Sequence, residues 1–250
     1  PITRNDDGLW IYEEPKEDHT YYITVDTARG QGLDYSAFTV IDATEMPYKL
    51  VARYRNNIVS PMVYPTVIST VAKQFNNAYV LVEINDIGGQ VADVLHQDLE
   101  YDNILMCSHM GRKGQVVTTG FGGKGTSHMG VRTSAVVKKL GCSVLKSLIE
   151  EDKLIIEDLD TVNELTTFIA KKNSYEADDG YNDDLVMSLV LFAWLTRQDY
   201  FKTISDTDVR TEIYEEEIEK LEENMAPFGF IHDDVEDGGE WDGEDRWFVF

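Results

Sequence analysis

Asp26 closes the apolar run Tyr22-Ile23-Thr24-Val25, and Glu83 closes Tyr79-Val80-Leu81-Val82. Asp183 and Asp184 open the run Leu185-Val186-Met187-Ser188-Leu189-Val190-Leu191-Phe192-Ala193-Trp194. Two strand ends and one helix start can gather carboxylates that lie far apart in sequence. Converging carboxylates bind hard divalent cations, and such cations do phosphoryl chemistry. Two cations about 4 Å apart activate a water and stabilise a leaving oxygen in phosphodiester cleavage. Bridging them takes several carboxylates on rigid elements, whose mutual repulsion the metal relieves. Each acid also has a plainer reading. Asp26 can cap a turn. One of Asn182, Asp183 and Asp184 can cap the helix. Glu83 is harder to explain away, because a buried carboxylate without a partner is costly. A helix cap also accounts for one acid of the Asp183–Asp184 pair and not for two.

The elements that must carry these acids follow from pattern. Tyr21–Asp26 is rich in β-formers, and Ala28-Arg29-Gly30-Gln31-Gly32 is a turn. Residues 35–42 alternate as a second strand, and 49–54, after Pro47, form a third. Short connections between three strands predict an antiparallel meander. From Pro61 to Phe75 the apolar spacing is helical, with a proline near the start. Tyr79–Glu83 is a short buried strand, and a helix follows Gly88-Gly89. Residues 103–106 read as a strand and 111–130 as a flexible glycine-rich loop. Residues 131–151 read as a helix interrupted or capped near Gly141, 153–156 as a strand and 161–171 as a helix. Tyr175–Asp179 reads as a surface loop, and 184–196 as the last strongly apolar helix. The expected fold is α/β: a mixed sheet, meander first and strand–helix units after, with flanking helices. That order is the one found in ribonuclease H-like folds. In it the first strand end, the fourth strand end and the last helix start meet at one sheet edge.

Three runs carry a resemblance. They are Val25-Asp26-Thr27-Ala28-Arg29-Gly30-Gln31-Gly32-Leu33-Asp34-Tyr35-Ser36-Ala37, Val82-Glu83-Ile84-Asn85-Asp86-Ile87-Gly88 and Asn182-Asp183-Asp184-Leu185-Val186-Met187. They resemble the nuclease domain of the large terminase subunit, the DNA-packaging motor of tailed bacteriophages, over about residues 20–200. The resemblance implies a ribonuclease H-like endonuclease that cuts concatemeric viral DNA using Mg2+ or Mn2+. It implies Asp26 and Glu83 as metal ligands and catalytic residues, with Asp183 or Asp184 as the third. Asp34, in the first motif, is an auxiliary acid or a hairpin-turn Asp. The implied partners are double-stranded DNA, the packaging ATPase domain of the same polypeptide, the portal and the small terminase subunit. The implied place is the host cytoplasm, on the procapsid. The rival readings are a Holliday-junction resolvase or another ribonuclease H-like nuclease, and a non-enzymatic docking module between motor and portal.

The ATPase itself is not expected here. Gly120-Phe121-Gly122-Gly123-Lys124-Gly125-Thr126 breaks the order of a phosphate-binding loop and lacks its strand–helix setting. The first residues, Pro1 to Asp7, do not form a signal peptide and carry no initiator Met, which suggests excision from something longer. Residues 1–19, polar with acidic pairs and Pro15, read as an arm or linker, 20–200 as the nuclease domain and 201–250 as an acidic extension. No apolar run reaches the ~18 residues of a membrane span. Cys107 and Cys142 lack metal-type spacing and read as reduced thiols of a cytosolic protein. His19, His96, His109, His128 and His232 form no zinc set.

A net charge of −24 argues at first against a nucleic-acid partner, but its distribution reverses that reading. Between Asp206 and Arg246, 17 acidic residues face 3 basic ones, so this stretch holds more than half of the excess. From Asn103 to Ile149 there is no acid at all, and the stretch carries Arg112, Lys113, Lys124, Arg132, Lys138, Lys139 and Lys146. These seven are candidate phosphate contacts beside the carboxylates, giving binding with little base reading. For Lys138, Lys139 and Lys146 a solvated helix face is the plainer alternative. The acidic tail reads as solvated, as docked through Trp241, Trp247, Phe248 and Phe250, or as bound to another packaging component. A further expectation is that it competes with DNA for the basic surface; deletion of 206–250 then raises DNA affinity.

Overall fold

Apolar alternation decides which side of each strand is buried, and through that where the acids point. A computed structural model describes residues 1–204 other than 33, 110–113, 119–126 and 172–173. Two short strands, β1 (Thr3–Arg4) and β2 (Leu9–Ile11), precede the meander β3 (Tyr21–Asp26), β4 (Ser36–Asp42) and β5 (Tyr48–Asn56). Helix α1 (Tyr64–Gln74) starts at Pro65, where a missing amide costs nothing, and leads into β6 (Tyr79–Val82). Helix α2 (Gly88–Asp93) continues as a π turn over Val94–Asp98. Three short strands follow: β7 (Met106–His109), β8 (Gln115–Thr118) and β9 (Ser127–Met129). The rest is α3 (Ala135–Glu150), β10 (Leu154–Ile155), α4 (Leu159–Thr167), β11 (Phe168–Lys171), β12 (Ser174–Ala177), α5 (Asp184–Thr196) and α6 (Asp199–Ile204).

The main sheet runs β1-β2-β5-β4-β3-β6, with β10 also pairing β5. The meander is antiparallel, and β6 lies parallel to β3. This is the expected mixed α/β sheet. Odd residues of β3 and even residues of β6 (Tyr21, Ile23, Val25, Val80, Val82) enter a core with Ile68, Val71, Ala72 and Phe75 of α1 and its flank. The opposite parity faces α5. Tyr22 meets Tyr79 and Phe192, and Thr24 donates to the Ser188 carbonyl at 2.7 Å. Helix α5 is buried almost throughout from Leu185 to Thr196, because α3 and the sheet cover it from both sides. Each fully buried Leu, Val or Phe contributes about 1.5–3 kcal/mol, so α5 is fixed firmly on the strands.

Several expectations give way to tertiary causes. Residues 1–19 are no free arm: β2 pairs with β5, Leu9 opposite Tyr54 and Ile11 opposite Ala52. A buried charge cluster holds them there. Arg53 lies over the Trp10 ring at 3.7 Å and donates to Asp158 at 3.3 Å, while the Tyr12 hydroxyl also donates to Asp158. Partners this distant leave no local pattern. In the expected strand 103–106 only an Ile104–Val80 bridge forms, and pairing begins at Met106. The expected loop 111–130 contains β8 and β9, which flank β7 in a second sheet; its centre, 119–126, lies outside the described residues. Helix α3 runs through Gly141 unbroken. A Cβ there would sit 2.4 Å from the Val190 carbonyl oxygen, so the glycine serves close packing of α3 on α5. The helix expected to Lys171 ends at Thr167, and β11 and β12 form a hairpin where a helix end and a loop were expected. Past residue 200, α6 still belongs to the domain, because Phe201 is buried against Tyr22 and Phe192. The rest of the acidic extension lies outside the described residues. Among the described residues no helix is long and apolar enough to cross a membrane.

Candidate active site

Strand parity delivers the first two acids. Asp26 shares the face of Tyr22 and Thr24, and Glu83 shares the face of Tyr79 and Leu81. The register pairs Val25 with Val82, and the Glu83 amide donates to the Val25 carbonyl at 2.9 Å. Asp26 and Glu83 therefore end adjacent strands side by side, under the start of α5. Gly88 lets α2 begin hard against this corner: a Cβ there would come within 1.7 Å of the Glu83 carbonyl oxygen. Asn85 orients Glu83, donating to its Oε1 at 3.2 Å and to the Thr133 carbonyl at 3.1 Å.

Asp183 and Asp184 arrive on α5, and the helix-cap reading fails for both. Asp183 stands at the cap position but makes no side-chain cap bond. Its Oδ2 accepts from the Ala177 amide of β12 at 3.2 Å. The first-turn amides are served by a residue from another helix: Glu164 Oε2 accepts from Leu185 N at 2.8 Å and from Val186 N at 3.2 Å. Glu164 is buried and faces Arg55 across 3.3 Å. Arg55 stacks over the Tyr35 ring at 4.0 Å. A carboxylate at a helix N-terminus satisfies orphan amides and complements the dipole, which leaves both aspartates free of that duty.

The electrostatics report convergence. Burial first, then the charge of Glu83, a hydrogen bond between the two carboxyls, and Asp184 and Asp183 in turn raise the Asp26 carboxyl well above the usual carboxylate range. A proton held on Asp26 would relieve the repulsion that a cation otherwise relieves. Burial, then Glu164, pushes Asp184 up to about 7; Asp183 adds to this, while Arg55 and the Tyr35 amide oppose it. Burial also raises Glu164, against the pull of Arg55. A cleft of about 350 Å³ opens over the site, lined by Asp26, Asp34 and Asp184 with Arg29, Tyr35 and Asp86.

The donor set is all carboxylate oxygen, which suits Mg2+ or Mn2+. Asp184 Oδ2 is buried with no hydrogen-bond partner among the described residues. Such an orphan is costly, and a hard cation would satisfy it. As they stand, no three His, Cys, Asp or Glu side chains among the described residues form a metal-holding group. Asp26 and Glu83 are joined to each other, and Asp183 is turned to Ala177.

The expected site residues divide clearly. Asp26, Glu83, Asp183 and Asp184 come together, and Asp34 lines the cleft from its exposed rim. Arg132 is exposed next to Val131, whose backbone pairs with Glu83. Lys138 lies 5.9 Å from the Phe168 ring of the β11–β12 hairpin. Lys139 follows it on α3. Lys146, two turns on, pairs with Glu150 at 3.7 Å and is not among the described residues that line the cleft. Arg112, Lys113 and Lys124 lie outside the described residues. Sequence reasoning missed Glu164, Arg55 and Asn85. None belongs to a local pattern, although Asn85 sits inside the second motif.

Comparison with known proteins bears on the fold. The fold is similar to the large terminase nuclease from thermophilic phage G20c with bound magnesium. That match has 22% identity, covers 77% of this chain and 89% of that one, and has a TM-score of 0.57. The same nuclease with bound cobalt matches at 22% identity, over the same 77% and 89%, with a TM-score of 0.56. The Thermus phage P74-26 large terminase nuclease domain matches at 21% identity over 74% of this chain and 83% of that one, with a TM-score of 0.54. Residues 23–194, which run from β3 to α5 and hold all four converging carboxylates, match the terminase RNaseH-like domain family, and the chain belongs to that family.

Proposed function

We propose that the chain is a divalent-metal-dependent endodeoxyribonuclease that cuts concatemeric viral DNA during genome packaging in the host cytoplasm. The observation that carries this reading is the approach of Glu83, Asp183 and Asp184 to Asp26 from three elements, with Asp26 and Asp184 lining the cleft and Asp184 Oδ2 buried and unpartnered among the described residues. Asp26, Glu83 and Asp184 would hold Mg2+ or Mn2+, with Asp183 joining once it releases the Ala177 amide. When bound, the ions would activate water, polarise the scissile phosphate and stabilise the leaving 3′ oxygen. The chain's own residues set the stage for this. Asn85 fixes the Glu83 carboxylate, and Glu164 with Arg55 fixes the start of α5. Asp26, whose carboxyl is raised, would give up its proton where a cation binds. Arg132 and Lys138 contact the DNA backbone beside the cleft. Magnesium and cobalt bound in the similar G20c large terminase nuclease support a divalent-cation site of this kind. By family, the partners are double-stranded DNA, the packaging ATPase domain, the portal and the small terminase subunit.

The test is cleavage by the chain of linear duplex, a four-way junction and an RNA–DNA hybrid, with Mg2+, Mn2+ or EDTA. The expected result is metal-dependent cutting of linear duplex, lost in Asp26→Asn and Glu83→Gln. Preferential cutting of the junction or the hybrid replaces the packaging reading with another ribonuclease H-like activity. Absence of cutting on all three substrates favours a docking module.

A further inference from the structure

Among the described residues the cleft is lined by four aspartates, Asp26, Asp34, Asp86 and Asp184, and by one cationic side chain, Arg29. A phosphodiester entering it meets repulsion from every charged lining group but one. Arg29 lies three residues after Asp26, and Asp86 three residues after Glu83, so the two rise from neighbouring strand ends. Arg29 Nε donates to Asp86 Oδ2 at 2.7 Å, and its Nη2 donates to Oδ1. This is the planar fork that also fits two oxygens of a phosphate. Both side chains are open to solvent, at 61% and 57% exposure. Both partners reach bulk water, where salt screens their attraction, so a phosphate that fits the same fork can compete for the guanidinium.

The backbones beneath them are fixed. Gly30 packs on the Val59 carbonyl, where a Cβ would come within 2.3 Å, and the Gly32 amide donates to the Asn57 carbonyl at 2.9 Å. Asp86 holds a left-handed backbone at φ 48°, a conformation Asp tolerates better than most residues. The hairpin is therefore anchored while the Arg29 side chain is free to change partners.

We propose that Arg29 is a phosphate-binding residue of this cleft and that Asp86 is a competing anion that holds it until DNA displaces it. The inference rests on the nuclease reading and names how that site takes its substrate. Asp86 keeps the guanidinium extended at the cleft mouth, and the incoming phosphodiester replaces the carboxylate on the same fork.

A double-mutant cycle tests this with the full chain. Affinity for a short duplex is read by fluorescence anisotropy in Ca2+ across a salt series, and KM and kcat for cutting are read in Mg2+. Arg29→Ala should weaken binding roughly five- to tenfold and flatten the log–log salt slope by about 0.9, the value for one phosphate contact. Asp86→Asn should tighten binding about threefold and lower KM. In the double variant the gain from Asp86→Asn should vanish, because nothing remains to be released. Two results overturn the proposal. In one, Asp86→Asn weakens binding as Arg29→Ala does, which marks a merely structural pair. In the other, Asp86→Asn tightens binding equally in the Arg29→Ala background, which marks a general field effect. A wild-type chain that binds duplex but cuts nothing overturns the nuclease reading instead, and the binding cycle still decides the exchange.

Discussion

Replacing Asp184 by Asn should stabilise the metal-free protein while removing its response to metal. The magnitude comes from the carboxyl, which is raised from 3.8 to about 7. That difference of about three units is worth about 4 kcal/mol at 1.36 kcal/mol each. The sign follows from proton counts. Between about pH 4 and pH 7 the folded state keeps a proton that the unfolded chain gives up, so stability is greatest at low pH and is lost as pH rises through about 7. Asp26, also raised, adds in the same direction. Asn cannot ionise, so at pH 8 in EDTA the variant avoids this loss. It also forgoes the attraction of Arg55, which leaves a net gain of roughly 2–4 kcal/mol. For a domain of this size that is roughly 5–15 °C in Tm. At pH 5 the two proteins should melt within a few degrees of each other. Mg2+ at a hundred times its Kd should stabilise the wild type at pH 8 by about 2.7 kcal/mol, and the variant far less. The assay is thermal unfolding followed by circular dichroism at pH 5 and pH 8, with EDTA or Mg2+. The reasoning is refuted if Asp184→Asn is the less stable protein at pH 8 in EDTA, or if Mg2+ shifts both proteins equally.

Other outcomes are expected of residues that position the site. Glu164→Ala strips both first-turn amides of α5 of their acceptor and removes the buried carboxylate paired with Arg55, so it should cost about 3–5 kcal/mol in urea unfolding. Glu164→Gln keeps one acceptor and should cost about 1–2 kcal/mol, with kcat lowered more than KM is raised. Gly141→Ala should force α3 off the Val190 carbonyl and cost about 1–3 kcal/mol in the same assay. Asp158→Ala breaks the cluster of Tyr12, Arg53 and Asp158; hydrogen exchange should then accelerate across β2 and leave β3 and β6 protected.

The meander, β6 and α5 were legible because their signals are local. Alternation in β3 and β4 and the unbroken apolar run of α5 need no distant partner to be read. The same alternation places Asp26 and Glu83 on the α5 face, so the central carboxylates were legible too. What escaped depends on partners remote in sequence. Residues 1–19 look like an arm until Arg53 takes the Trp10 ring and Asp158 takes the Tyr12 hydroxyl. Gly141 looks like a helix break until Val190 shows why no side chain fits. For Asp183 and Asp184 the plainer alternative, a helix cap, stayed open because a cap is normally local, whereas here Glu164 reaches across from α4. The seven basic positions shared one signal, a stretch without acids. Composition of that kind does not say which face of α3 each lysine takes, and Lys146 ends up paired along its own helix.

The central claim is that Asp26, Glu83 and the Asp183–Asp184 pair together hold divalent cations. Anomalous diffraction from crystals of the chain soaked in Mn2+ tests it most directly. The account predicts manganese peaks in the cleft, ligated by Asp26, Glu83 and Asp184. A cleft with no manganese peak, or a peak held without Asp26 and Glu83, would contradict it.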